Sequence, residues 1–324
     1  MMRLLCVAPN PSIDRLVEVD RLVPGAIHRP TLVRPVAGGK GLNVARAAAR
    51  MGASVTAVGI AGGHGGRWLA AALEADGVVG RFVWADGETR VCTSIADAST
   101  RTLTEIYETG PTITEATWVA FESEVAAAIR SGSGDVDWVT ISGSLPPGAP
   151  PMGHVRLVRL ARAAGVPVAI DGFAPAVDGA ASWRSLLAAR PSLVKANLAE
   201  AATHTGSVLT TTDDAIATAE RIVHDGAEAA IVTLGTSGAV ACLDGALWRV
   251  GPPAELGPYP VGSGDAFLAG FVIGRSEGLS TADQLALAAA AGAANARVAG
   301  AGHLDPGWAK ELAGTVAVQR LDAM

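Results

Sequence analysis

Several short apolar runs end in Gly, Asp, Asn or Ser and then lead into stretches of helical periodicity. They are Leu4–Ala8, Ser54–Gly59, Trp138–Ser142, Val166–Asp171, Leu193–Asn197 and Ala229–Leu234. Strands apolar on both sides, alternating with helices, predict a parallel sheet covered on both faces, hence an α/β fold. Ligands of such sheets bind beyond the carboxyl ends of the strands. Ser142, Asp171, Asn197 and Thr233 therefore fall where a site is expected.

Asp14–Pro35 and Asp86–Glu108 break this pattern. They carry more charge and β-type residues, as in RLVEVD and TRVCTSI, and predict a small antiparallel layer or lid. The expected division is a lid of residues 12–36 and 86–108 on a large domain of 1–11, 37–85 and 109–324. Ser131–Gly134 reads as a loop before a strand, not a domain linker. Leu285–Ala301 is rich in Ala and Gly and carries Asn295 and Arg297. It is too short and too polar for a membrane span and predicts a buried helix.

Composition narrows the partners. The 324 residues include 25 basic and 31 acidic side chains, a net charge of −6. A global cationic field for nucleic acid or an anionic membrane is absent, so an anionic ligand needs a local cluster. Apolar residues make up 49% and charged ones 17%, the reverse of a disordered chain. The three cysteines, Cys6, Cys92 and Cys242, are far apart and form no C-x-x-C pair. A reduced, cytoplasmic protein is the expectation. The start, MMRLLCVAPNPSID, has too short an apolar stretch for a signal peptide.

Four stretches carry candidate chemistry. In Pro260–Phe271 (PVGSGDAFLAGF), Gly262, Ser263 and Gly264 open a helix, which makes an anion site of N–H groups and dipole. Asp265 beside it is a candidate proton acceptor, or equally a helix cap. In Gly38–Arg50 (GGKGLNVARAAAR) a glycine turn opens a helix predicted near Gly41, with Lys40 and Asn43 in its first turn. A lysine there opposes the dipole unless it meets an anion. In Val194–Glu200 (VKANLAE), Asn197 and Glu200 have capping-box spacing, or hold Mg²⁺ through water with Lys195 toward phosphates. Val232–Gly238 (VTLGTSG) is a strand and a Gly-rich turn, either a nucleotide clasp or a hairpin into Ala239–Leu243. Arg29 and Arg90 are candidates for bidentate phosphate contacts. Asp14, read as following a strand, is one for sugar hydroxyls. Walker A and G-x-G-x-x-G spacings are missing, which counts against a dehydrogenase.

In this order, N-P-S-I-D (10–14), G-G-K-G-L-N-V-A-R-A (38–47), S-G-S-L-P-P-G (142–148), V-K-A-N-L-A-E (194–200), V-T-L-G-T-S-G (232–238) and V-G-S-G-D-A (261–266) resemble the ribokinase-like PfkB carbohydrate kinases. The resemblance covers nearly the whole chain. T-E-I-x-E-x-G-P (104–111) is similar to the hexose-phosphate branch, which acts on fructose 1-phosphate, fructose 6-phosphate or tagatose 6-phosphate.

The resemblance implies a three-layer α/β/α sandwich with a mostly parallel sheet and a β-sheet lid, and a homodimer through that lid. It implies transfer from ATP with Mg²⁺, with K⁺ as a further candidate ion near Pro260. Asp265 would be the base and Gly262, Ser263 and Gly264 the anion hole. Asp14, Gly38, Gly39 and Asn43 would hold the sugar, and Arg90, Lys40 and Arg29 its phosphate. Lys195, Asn197 and Glu200 would serve phosphates and Mg²⁺; Thr233, Gly235, Thr236 and Gly238 the nucleotide; Ala289 and Ala293 the adenine. Pro260, Ser263, Ala196, Phe173 and Ile27 depart from the family pattern. The alternatives are a kinase of an unphosphorylated sugar or nucleoside, which would not need two cations, and a non-catalytic sugar- or nucleotide-binding regulator.

Overall fold

A computed structural model describes residues 1–130, 136–172 and 179–321. The chain runs through β1 (Arg3–Ala8), β2 (Ser12–Val19), β3 (Leu32–Gly38), α1 (Lys40–Arg50), β4 (Ser54–Gly62), α2 (Gly63–Ala75) and β5 (Val79–Ala85). Next come β6 (Val91–Asp97), β7 (Thr102–Tyr107), α3 (Glu115–Arg130), β8 (Trp138–Ser142), α4 (Gly153–Ala163) and β9 (Val168–Asp171). Then follow α5 (Gly179–Ala188), β10 (Leu193–Asn197), α6 (Leu198–Thr205), α7 (Thr212–His224) and β11 (Ala230–Thr233). The last elements are β12 (Ala239–Leu243), β13 (Ala246–Val250), α8 (Ser263–Ser276), α9 (Thr281–Ala296), α10 (Pro306–Ala313) and β14 (Val318–Leu321).

Ten strands form one sheet in the order β14-β13-β12-β11-β10-β9-β8-β1-β4-β5. From β11 through to β5 the pairs are parallel. The period-two alternation of strand side chains divides the core. Leu4, Cys6 and Ala8 of β1 face one layer, with α1, α2, α8 and α9, while Leu5 and Val7 face the other, with α3, α4, α5 and α7. Both faces of the strands are buried, so they read as continuous apolar runs.

The structure corrects several boundaries. The sheet extends beyond the six runs, through β5 on one side and the antiparallel β12, β13 and β14 on the other. β9 starts at Val168 because the Val166 N–H closes the end of α4 on Ala161. α9 ends at Ala296 rather than Ala301: Arg297 caps it, and Gly300 and Gly302 then turn the chain with φ of 105° and 76°. The expected Ser131–Gly134 loop and Phe173 lie outside the described residues. No helix among the described residues is long and apolar enough to cross a membrane.

The second sheet has the order β3-β2-β6-β7. It is mixed rather than antiparallel, since β2 and β6 run parallel. Asp14 lies inside β2, not after a strand. Its register places Asp14, Cys92 and Tyr107 side by side in one row.

Candidate active site

One cavity of about 690 Å³ opens where the strands of the large sheet end, and residues of the second sheet form part of its wall. Asp14 stands at one side. Its carboxylate accepts from the Ser12 hydroxyl at 2.6 Å and from the Gly39 N–H at 3.1 Å. Gly38 has no alternative here, since a Cβ would lie 2.2 Å from the Asp14 carboxyl carbon. Burial raises the Asp14 carboxyl, against the hydrogen bonds from Ser12 and Gly39. Arg90 lines the same side. It donates to the carbonyl of Asn10 through Nε and one terminal nitrogen (3.2 and 2.9 Å), and to that of Glu108 through the other (3.2 Å). Three of its five N–H groups are so used, and two remain for a ligand.

Asp265 is at the floor. α8 begins with Gly262 as N-cap at φ 84°, and Ser263, Gly264 and Asp265 form its first turn. Asp265 makes no capping bond; its carboxylate accepts from Asn43 Nδ2 at 2.9 Å. Burial pushes its carboxyl up to about 7, helped by the Asp171 carboxylate and opposed by Lys40, Lys195 and Asn43. Asp171 goes the other way. Burial alone would raise it, but Lys195 at 2.9 Å and Lys40 at 3.9 Å hold it below the usual carboxylate range. Two neighbouring carboxylates driven apart in this manner are suited to different tasks, one a permanent charge and one a proton acceptor.

Lys40 also meets Glu200 Oε1 at 2.5 Å. Burial would pull its ammonium down, yet Asp171, Glu200 and Asp265 together hold it above the usual lysine range. Glu200 and Asn197 form the capping box of α6, with 2.9 Å bonds in each direction. Lys195 Nζ packs against Gly264, at the entrance to α8. Beyond it, Thr233, Gly235, Thr236 and Gly238 line the cavity while also forming the turn between β11 and β12. Ala289, Gly292 and Ala293 of α9, with Leu256, give this end small apolar walls.

Most of the residues singled out by sequence thus share one cavity. Three do not line it. Gly38 lies behind Asp14, and Glu200 faces it only through Lys40. Arg29 is exposed on the loop between β2 and β3, outside the wall, because that loop runs past the last pair, Glu18 with Leu32. Ser12, Glu105 and Tyr107 line the site, and sequence reasoning gives them no role; Asp171 bounds it, at a position expected to fall near a site. Asp171 has a signal, as the polar residue closing an apolar strand. His154 has none: buried and neutral, with burial pulling its imidazole down to about 4, it donates to the Gly143 carbonyl at 2.9 Å. Among the described residues no three His, Cys, Asp or Glu side chains are grouped to hold a metal ion.

A model of the family described as pfkB family carbohydrate kinase matches residues 7–307. The 1-phosphofructokinase of Haloferax volcanii is 34% identical over 285 residues, 87% of either chain. That of Rhodobacter capsulatus is 32% identical over 289 residues, 89% of either chain. The structure of phosphofructokinase-2 from Escherichia coli in complex with potassium superposes with a TM-score of 0.86 at 27% identity, over 97% of this chain and 99% of that one.

Proposed function

The chain belongs to the pfkB family of carbohydrate kinases, and on that premise we propose that it phosphorylates a hydroxyl of a phosphorylated ketohexose, fructose 1-phosphate foremost, from MgATP. The observation that carries this is Asp265: a buried carboxyl poised near neutrality, in the first turn of α8, within the cavity that Arg90 also lines. The names of the two relatives support fructose 1-phosphate over its isomers.

In this reading Asp14, Gly39 and Asn43 orient the sugar, and Arg90 offers its two free N–H groups to the phosphate already present. Asp265 takes the proton of the acceptor hydroxyl. The N–H groups at the start of α8 and the Lys195 ammonium steady the charge spread over the transferred group. The nucleotide base lies between the β11–β12 turn and the small residues of α9. Asn197 and Glu200 suit Mg²⁺ only through water. Both Glu200 oxygens are engaged in this structure, by Asn197 and Lys40, and Mg²⁺ keeps much of its hydration while taking phosphate oxygens. The ion would neutralise phosphate charge. The potassium held by the Escherichia coli enzyme adds K⁺ to the proposal, near the Pro260 loop.

One observation favours a second reading. Lys40 is neutralised by Glu200 and Asp171, which leaves Arg90 as the cation of the sugar end. That is weaker selection for a substrate phosphate than two free cations. A coupled ADP-release assay decides, run with fructose 1-phosphate, fructose 6-phosphate, tagatose 6-phosphate, fructose, ribose and adenosine. Turnover confined to the phosphorylated ketohexoses is expected; turnover on fructose, ribose or adenosine would establish the second reading. Arg90→Ala should raise KM for the sugar phosphate by about 10- to 100-fold and change KM for ATP little. Equal effects on both would remove Arg90 from the phosphate site.

The proposal extends to a homodimer through the second sheet. Val17, Val33, Ile95 and Ile106 share the face turned away from the cavity, and Ile106 is 58% and Val33 43% exposed. Apolar side chains in such a row mark an association surface. Sedimentation equilibrium should give a dimer at micromolar concentration, weakened at least about tenfold by Ile106→Asp, since a buried unpaired carboxylate is costly. A monomeric parent would refute this part.

A further inference from the structure

We propose that Arg46 is a positioning residue for Asp265: it fixes which end of the Asn43 amide faces the carboxylate, and ties that amide to both walls of the site. This rests on the reading of Asp265 as the base. Arg46 lies in α1, one turn after Asn43, and is completely buried. Its guanidinium reaches four separate segments. Nε meets Asp76 Oδ2 at 2.5 Å, and one terminal nitrogen donates to the Ala37 carbonyl, at the root of β3. The other donates to the Ala301 carbonyl at 2.8 Å and stands 3.5 Å from Asn43 Oδ1. Ala301 in turn packs directly under Gly262.

A guanidinium has only donors. It accepts Oδ1 of Asn43 as a neighbour and repels the amide N–H₂. At 3.5 Å the contact is weak as a hydrogen bond, but the charge still sets the orientation. With Oδ1 toward Arg46, Nδ2 must point at Asp265, where it donates at 2.9 Å. The reverse orientation would place N–H₂ against the guanidinium and Oδ1 against the carboxylate, two repulsive contacts. A donor to the ionised form favours ionisation, so Arg46 acts on the proton affinity of Asp265 without touching it. The same guanidinium fastens the strand leading out of the second sheet and the loop beneath the anion hole, so one side chain registers both against Asn43.

The charged groups around this relay are few. Asp171, Lys40 and Lys195 face Asp265, and Glu200 stands behind Lys40. Asp76, Asp14 and Arg50 face Arg46, with His303 Nε2 at 3.4 Å from Asp76. None of these supplies a second donor-only group to Asn43 Oδ1.

The test uses the full-length enzyme. Arg46→Lys keeps the charge and loses the fork; Arg46→Met with Asp76→Asn removes both charges of the pair if the lysine variant does not fold. The acid limb of kcat/KM should move up by about one pH unit, the value of one hydrogen bond to a charged group. The loss should then be about tenfold at pH 6.5 and much smaller at pH 9. Asn43→Ala should produce the same shift, with no further shift when Arg46→Lys is added. Titration of the Asp265 carboxyl by ¹³C NMR should rise in parallel, whatever the turnover. A drop of equal size at every pH, or an Asp265 titration that does not move in a folded variant, would overturn the proposal. If Asp265→Asn keeps its turnover, the reading of the base fails instead, and the NMR titration still decides the role of Arg46.

Discussion

Asp265→Asn is expected to lose turnover by about 10³-fold or more, the scale of a positioned general base, while its Kd for ATP stays within a few-fold. The asparagine keeps the shape of the side chain and its acceptor for Asn43, and lacks only the capacity to take a proton. The parent should show the complementary pH dependence. With the carboxyl poised at about 7, kcat/KM should fall tenfold per pH unit below that value, as the base becomes protonated. Stability should run the opposite way. Between the ordinary carboxyl range and about 7, the folded protein holds a proton that the unfolded chain has released, so folding weakens as pH rises through this window. Asp265→Asn lacks that proton, and its melting temperature should exceed the parent's at pH 8, with the gap closing toward pH 4. Thermal melts at the two pH values, beside single-turnover kinetics, check both halves. Unchanged turnover would exclude Asp265 as the base.

Gly262→Ala should cost nearly as much activity by another route. Gly262 has φ 84°, and a Cβ there would lie 2.6 Å from Ala301 Cβ and 2.9 Å from its Cα. The second clash is with backbone and cannot be relieved by a rotamer. The left-handed conformation alone costs a residue with a side chain about 1–3 kcal/mol. Relief must come from moving the loop, which displaces the N–H groups at the start of α8. A fall in kcat of about 10²- to 10³-fold is expected, the scale of a lost anion-hole donor, with a lower melting temperature and little change in sugar binding. A destabilised variant with native kcat would show that this loop does not hold the transferred group.

The legible parts of the sequence are those where one strand or one turn carries the signal. Trp138–Ser142 and Leu193–Asn197 form strands with those same ends, because a polar residue stops an apolar run where the sheet stops. Asn197 and Glu200 form the capping box that their spacing suggests, and adjoin the site as well, so the two readings are not exclusive. β13 and β14 lie at the sheet edge, with short half-exposed runs that carry little periodicity. The helix expected to reach Ala301 ends early because Gly300 and Gly302 turn the chain at positive φ, and the apolar Ala301 between them packs under Gly262 instead of continuing α9. The ionic partners are illegible for a different reason. Lys40 and Glu200 are far apart in sequence, and a buried Arg46 in an alternating helix reads as an ordinary polar-face residue. Only the closed fold brings Asp76, Ala37 and Ala301 around it.

The place of β1 in the sheet bears on how the protein is made. Leu4 finds Val55 of β4 early, but its other flank waits for Trp138 of β8. During synthesis β1 therefore stands half-covered, as an edge, while α2, β5, the last two strands of the second sheet (β6 and β7) and α3 emerge. The floor of the cavity comes later still, with Asp265 and the Ala301 carbonyl beyond it. Contacts this distant along the chain fold slowly and expose apolar edges meanwhile. The cavity therefore closes only once α8, α9 and the loop carrying Ala301 have followed the rest of the sheet.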